Sequence, residues 1–146
     1  SVNQSTRDQF LKHLSRCDFT PPLNTYVNVS EYVKKIAKHA KIFEAWNENK
    51  ELIGVIAIYI DTTGKRLAFI TNISCVREYQ RRGIMTVLLQ KCIKNIYKMG
   101  IKEIMLEVYA CNKKALNFYK KHNFREVKNI NDRVTMKIEI TGEMTR

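Results

Sequence analysis

The chain has 146 residues, with 26 Lys+Arg against 14 Asp+Glu and a formal net charge of +12; 45% of its residues are hydrophobic, 10% aromatic and 27% charged. A chain of this size buries about two-thirds of the surface it exposes when unfolded, so one domain over residues 1–146 is expected, and a disordered tail, a collagen or a disulfide scaffold is excluded. Apolar residues run from Leu52 to Ile60, broken only by Gly54; that is about half a bilayer span, and no leader-like segment opens the chain, which together predict a cytoplasmic protein.

In chain order, the spacing predicts a helix over residues 5–16, capped by Ser5 or Thr6, with Phe10, Leu11 and Leu14 on its buried stripe. Pro21-Pro22 ends that segment, and a second helix follows over residues 30–40, with Asn28 or Ser30 as cap. Three strands form a meander over residues 42–46, 52–60 and 67–75, the middle one apolar enough to be buried on both faces. The longest helix is predicted over residues 83–99, with Gly100 as its C-terminal cap. A strand over residues 102–109 and a helix over residues 112–121, capped by Asn112, come next; Asn123 stands where a left-handed residue is needed. Strands over residues 124–127 and 133–140, joined by a turn at residues 129–132, close the order, and the tail from Thr141 is expected to fray. The pattern describes a mixed α/β domain.

Cys17, Cys75, Cys92 and Cys111 are scattered, without a CxxC pair or a histidine at ligand spacing, so they are expected to be core residues and no metal site is expected. The charge is uneven: residues 1–73 carry +3 and residues 74–146 carry +9. Such a field attracts a polyanion, whether nucleic acid or a phosphorylated cofactor. The loop containing Arg77, Gln80, Arg81, Arg82 and Gly83 joins a strand to the longest helix, where unpaired N–H groups and the helix dipole suit a phosphate.

That loop, Gln80-Arg81-Arg82-Gly83-Ile84-Met85, together with Asn112, Ala115, Tyr119 and Phe124 after the strand ending in Val108, resembles the GNAT superfamily of acetyl-CoA-dependent N-acetyltransferases. The resemblance covers roughly residues 42–128; the family's opening strand is absent or lies before Ser1. It implies a central, mostly antiparallel twisted sheet of about six or seven strands flanked by about four helices. It also implies acetyl transfer from acetyl-CoA to a primary amine in a ternary complex, with acetyl-CoA as donor co-substrate. Backbone groups of Ile73 and Cys75 would pair with the pantetheine arm, and Gln80, Arg81, Arg82, Gly83, Ile84, Met85 and Thr86 would hold the pyrophosphate. Asn112 would contact the pantetheine or acetyl region, and Tyr119 would protonate the departing thiolate.

Two residues depart from the family pattern. Met85 replaces the small residue that lets the coenzyme come close, and Asn123 replaces the glycine before Phe124. The strand over residues 67–75 carries no carboxylate, leaving Glu44, Glu107 and Glu78, in that order, as candidates for the general base. His122 is read as a helix C-terminal charge rather than a catalyst. The positive charge disfavours polyamines and favours a neutral or anionic small-molecule acceptor such as an amino sugar. Two alternatives are a coenzyme-binding module without turnover and, less favoured, a basic nucleic-acid-binding module; the latter lacks aromatics interleaved with its cations. A homodimer is common in the family resembled, but no surface in the sequence identifies an interface.

Overall fold

Thr6 opens α1 (Arg7–Ser15) with a reciprocal capping box: its side chain accepts from the Gln9 N–H, and the Gln9 side chain accepts from the Thr6 N–H. The structure is a computed structural model describing residues 5–61 and 63–146, so Thr62 of the turn after residue 60 lies outside the described residues. Asn28 caps α2 (Val29–His39), one residue earlier than the hydrophobic spacing places the helix. There follow β1 (Lys41–Trp46), β2 (Leu52–Ile60), β3 (Leu67–Cys75), α3 (Ile84–Lys98), β4 (Glu103–Tyr109), α4 (Lys113–Lys121), β5 (Arg125–Ile130) and β6 (Arg133–Glu139). Asn123 takes the predicted left-handed conformation at φ 73°.

The six strands form one sheet in the order β1-β2-β3-β4-β6-β5, antiparallel except for β3 and β4. Ile56, Ile58, Ile104, Leu106 and Met136 pack on one face with Leu89, Ile96 and Leu116 of α3 and α4. Val55 and Ala57 of the same β2 pack on the other face with Phe10, Leu14, Val33 and Ile36 of α1 and α2, so the middle strand is buried on both faces. Fully burying one such aliphatic side chain contributes roughly 1.5–3 kcal/mol.

Two chain-end expectations are corrected. β5 runs on to Ile130, and the turn is only Asn131-Asp132, both at positive φ (53° and 63°). This is the backbone that a tight two-residue hairpin between twisted strands requires. The tail does not fray at Thr141: residues Gly142–Thr145 form a 3-10 turn, and Gly142 lies against the Tyr97 hydroxyl of α3.

A polar chain crosses the α1 interface. His13 is buried at 1% exposure, its Nδ1 3.1 Å from the Leu52 carbonyl and its Nε2 2.8 Å from Ser74 Oγ. The carbonyl can only accept, so Nδ1 carries the proton, and burial lowers the imidazole pKa to about 4. The unfolded state therefore binds more protons between about pH 4 and 6.5. The stability that neutral His13 supports is complete above pH 6.5 and is lost on acidification, by up to about 3 kcal/mol. Thermal unfolding between pH 7.5 and 4.5 is expected to show this slope in the natural chain and a flatter one in His13→Gln.

Among the described residues, no helix is long and apolar enough to cross a membrane.

Candidate active site

β3 and β4 run parallel and pair from Leu67–Glu103 to Ile70–Leu106, and there the pairing stops. Beyond it a cleft of about 700 Å³ opens between residues 71–75 on one side and residues 106–109 on the other. A bulge in the β2–β3 ladder between Ile70 and Asn72 marks the start of the divergence. The Tyr32 hydroxyl of α2 donates to the Thr71 carbonyl at that point.

One end of the cleft is the N-terminus of α3. Gly83 is its N-cap at φ 76°, with no side chain closing the first turn, so the leading N–H groups of the helix remain available to a ligand. Arg81, itself left-handed at φ 64°, lines the cleft with Gln80, Gly83, Ile84, Met85 and Thr86. Gln80 is tied at both ends of its amide: Nε2 donates to the Cys75 carbonyl (3.3 Å), and Oε1 accepts from Lys114 Nζ (2.7 Å). Lys114 and Lys121 of α4 complete a cationic rim. These groups fit a phosphate of a nucleotide-linked thiol: backbone donors at a helix N-terminus, a glycine at the turn and three cations.

Ile73, Cys75, Asn112 and Tyr119 also line the cleft. Asn112 caps α4, its side-chain oxygen accepting from the Ala115 N–H at 3.2 Å. Tyr119 is 6% exposed, between Phe118 and Phe124, and burial pushes its phenol above the ordinary value. It stays protonated at neutral pH and is available as an acid. Arg82 does not line the cleft; its guanidinium lies over the Tyr79 ring, 5.0 Å from the centroid.

The three candidate bases are placed differently. Glu44 lies on edge strand β1, two strands away from the β3–β4 gap, and its Oε2 accepts from the Ser5 N–H at 2.8 Å beside the α1 cap. Glu78 is outside the cleft as well, paired with Arg16 at 2.9 Å. Of the three carboxylates, only Glu107 lines the cleft. Leu106 and Val108 pack with α3 and α4, so the alternation of β4 turns Glu107 and Tyr109 to the face of α1 and α2. That face carries an aromatic mouth, with the Tyr26 and Tyr109 ring centroids 5.2 Å apart and Arg133 over Tyr109.

Met85 does not fill the cleft alone. Its thioether packs over Gly54 of β2: a Cβ built on that glycine would lie 3.1 Å from the sulfur. His122, the C-cap of α4, joins the two helices through Nε2, 3.2 Å from Thr86 Oγ1. Sequence reading missed Lys114, Lys121 and Arg133. The two lysines follow from the periodicity of α4, whereas Arg133 reaches the site only through the β4–β6 pairing of Tyr109 with Arg133.

Among curated proteins, the chain is 42% identical over 62 residues to an N-alpha-acetyltransferase of Sulfurisphaera tokodaii, a match that covers 40% of this chain and 36% of that protein. The chain thus spans little more than a third of that relative's length. A GNAT-family acetyltransferase structure from Staphylococcus aureus Mu50 superposes with a TM-score of 0.80 at 16% identity, over 96% of each chain. The PaiA N-acetyltransferase of Thermoplasma acidophilum, solved in complex with coenzyme A, superposes with a TM-score of 0.69 at 18% identity, over 92% of this chain and 87% of that one. The mixed α/β fold is the one these structures share. The model of the acetyltransferase (GNAT) family matches residues 8–124, and the chain belongs to that family.

Proposed function

We propose that this chain transfers an acetyl group from acetyl-CoA to a primary amine by direct attack within a ternary complex. The observation that carries the reading is the β3–β4 opening, which has groups that suit a phosphate at the α3 terminus, a protonated phenol from α4 and a carboxylate from β4 around one cleft. Acetyl-CoA would supply the acyl group as an activated thioester. Gly83, Ile84, Met85 and Thr86 offer backbone N–H groups, and Arg81, Lys114 and Lys121 offer charge, to the pyrophosphate. Residues 73–75 lie beyond the last β3–β4 pair and offer an edge to an extended amide-bearing arm, with the Cys75 carbonyl shared with Gln80, and Asn112 stands beside that arm.

Glu107, directly or through water, takes the proton that the ammonium must lose before its nitrogen has a lone pair. Tyr119 gives its proton to the sulfur as the carbon–sulfur bond breaks, the adduct nitrogen sheds its second proton to water, and the phenolate regains a proton by the same route. The amine attacks once, the acyl carbon changes partner from sulfur to nitrogen, and no covalent enzyme species is needed. We infer a small neutral or anionic acceptor of the amino-sugar class, supported by the aromatic mouth, which suits the apolar face of a sugar ring, and by the +12 charge, which disfavours polycations. The second reading is a protein or peptide N-terminus, favoured by the N-alpha-acetyltransferase relatives.

The test is thermal unfolding with acetyl-CoA, adenosine 3′,5′-bisphosphate or a short oligonucleotide, followed by thiol release with amino sugars, amino acids, spermidine and N-terminal peptides. Ligand at about 100 times its Kd stabilises by about 2.7 kcal/mol, so a salt-tolerant shift of several degrees with acetyl-CoA is expected. A shift only at low salt and with every polyanion would overturn the coenzyme site. A coenzyme shift with no amine turned over would leave a binding module instead of an enzyme.

A further inference from the structure

Each carboxylate that lines the cleft among the described residues is held by an arginine, and the two pairs differ in setting. Asp18 is gripped by Arg77 through Nε and Nη2, an anchor tying the α1–α2 connection to the segment after β3. Glu107 accepts at Oε1 from Arg133 Nη2 at 3.1 Å, both side chains are more than a third exposed, and Arg133 itself lines the cleft. An exposed ion pair of this kind is weak and readily exchanged.

The position of Arg133 sets it apart from the cations around the α3 terminus. Tyr109 and Arg133 are direct antiparallel partners, so their side chains share a face, and Glu107 lies two residues along on that same face. This is the face of α1, α2 and Tyr26, whereas α3 and α4 pack on the opposite face. The guanidinium, stacked 5.2 Å above the Tyr109 ring, is a planar donor fork set at the mouth through which an acceptor enters.

We propose that the acceptor is a small primary amine bearing an anionic group, phosphate or carboxylate, and that Arg133 binds this group and in doing so releases Glu107. The proposal rests on Glu107 being the base of the reaction above. In the free protein one of the two carboxylate oxygens, Oε1, is engaged by Arg133. An anion presented by the acceptor offers the guanidinium a bidentate partner, and the freed Glu107 oxygen then accepts the proton of the ammonium on the same molecule. Arg133 is thus a specificity residue that couples recognition of the anion to readiness of the base, so the preference falls on kcat as well as on KM.

The test uses two matched pairs, glucosamine against glucosamine 6-phosphate and alaninamide against alanine, which separate a phosphate from a carboxylate source. With the natural chain, kcat/KM for the anionic member of one pair is expected to exceed that of its partner by about tenfold or more, and in Arg133→Gln this ratio collapses toward one. Arg133→Lys retains charge without the fork and is expected to recover only part of it. Calorimetric titration of the same amines into CoA-loaded protein gives a readout independent of turnover, and there too the anionic preference is lost in Arg133→Gln. Equal use and equal binding of both members of both pairs, or a preference that survives Arg133→Gln, overturns the proposal. If no amine is acetylated but the Arg133-dependent binding preference stands, the enzymatic reading fails and the anion site remains.

Discussion

Glu107→Gln is expected to reduce kcat by about 10²- to 10⁴-fold, the range supplied by one positioned proton acceptor, while leaving coenzyme affinity unchanged. The amide keeps the shape of the side chain and an oxygen that can accept from Arg133, so folding and the β4–β6 ladder are retained. It cannot take up the ammonium proton. Glu107 also lies on the face of β4 turned away from the α3 terminus, so the thermal shift with acetyl-CoA should match that of the natural chain. Full turnover in this variant would overturn Glu107 as the base. The parallel Glu44→Gln variant is expected to weaken the anchoring of the α1 cap through Ser5 and to leave kcat unaffected, because that carboxylate lies at the sheet edge.

Tyr119→Phe removes one oxygen from a ring that keeps its contacts with Phe118 and Phe124, and turnover with acetyl-CoA is expected to fall by about 10²-fold or more. Burial raises the pKa of this phenol, so it is protonated throughout the neutral range and its loss is that of a proton donor. A donor matters most when the leaving group is poor. With 4-nitrophenyl acetate, whose leaving group departs as a stable anion, the penalty is expected to shrink to a few-fold. An equal penalty with both acyl donors would mean that the hydroxyl positions the reactants without protonating the sulfur, and an unchanged rate with acetyl-CoA would remove Tyr119 from the chemistry.

The elements that build the α3 end of the cleft were legible in the sequence because their signals are local. Gly83 before an apolar stripe, Asn112 three residues before Ala115 and the apolar run of β2, broken only by Gly54, each declare themselves within a few residues. The closing hairpin was less legible because all six positions of β5 are exposed and the β5–β6 register shifts between Glu126 and Lys128, so hydrophobic alternation does not mark where the strand ends. The distance of Glu44 from the cleft was hidden for a different reason. A glutamate beside Trp46 on a strand is a reasonable candidate until the strand order is known, and that order depends on a crossover through α3 that no short window encodes. Arg133 belongs to the same class, since 24 residues separate it from the tyrosine it covers.

Gly54 and Met85 form a single unit across the sheet and the helix. The bulk that the longer side chain adds at the proposed coenzyme loop is received by a hollow in the strand beneath, so the width of the cleft there is set partly from the floor. A smaller residue at 85 alone would widen the groove and leave a void under α3; a larger one at 54 alone would lift the thioether towards the ligand. The two positions are therefore expected to vary as a pair, and any redesign of the proposed pyrophosphate end at residue 85 has to begin in β2.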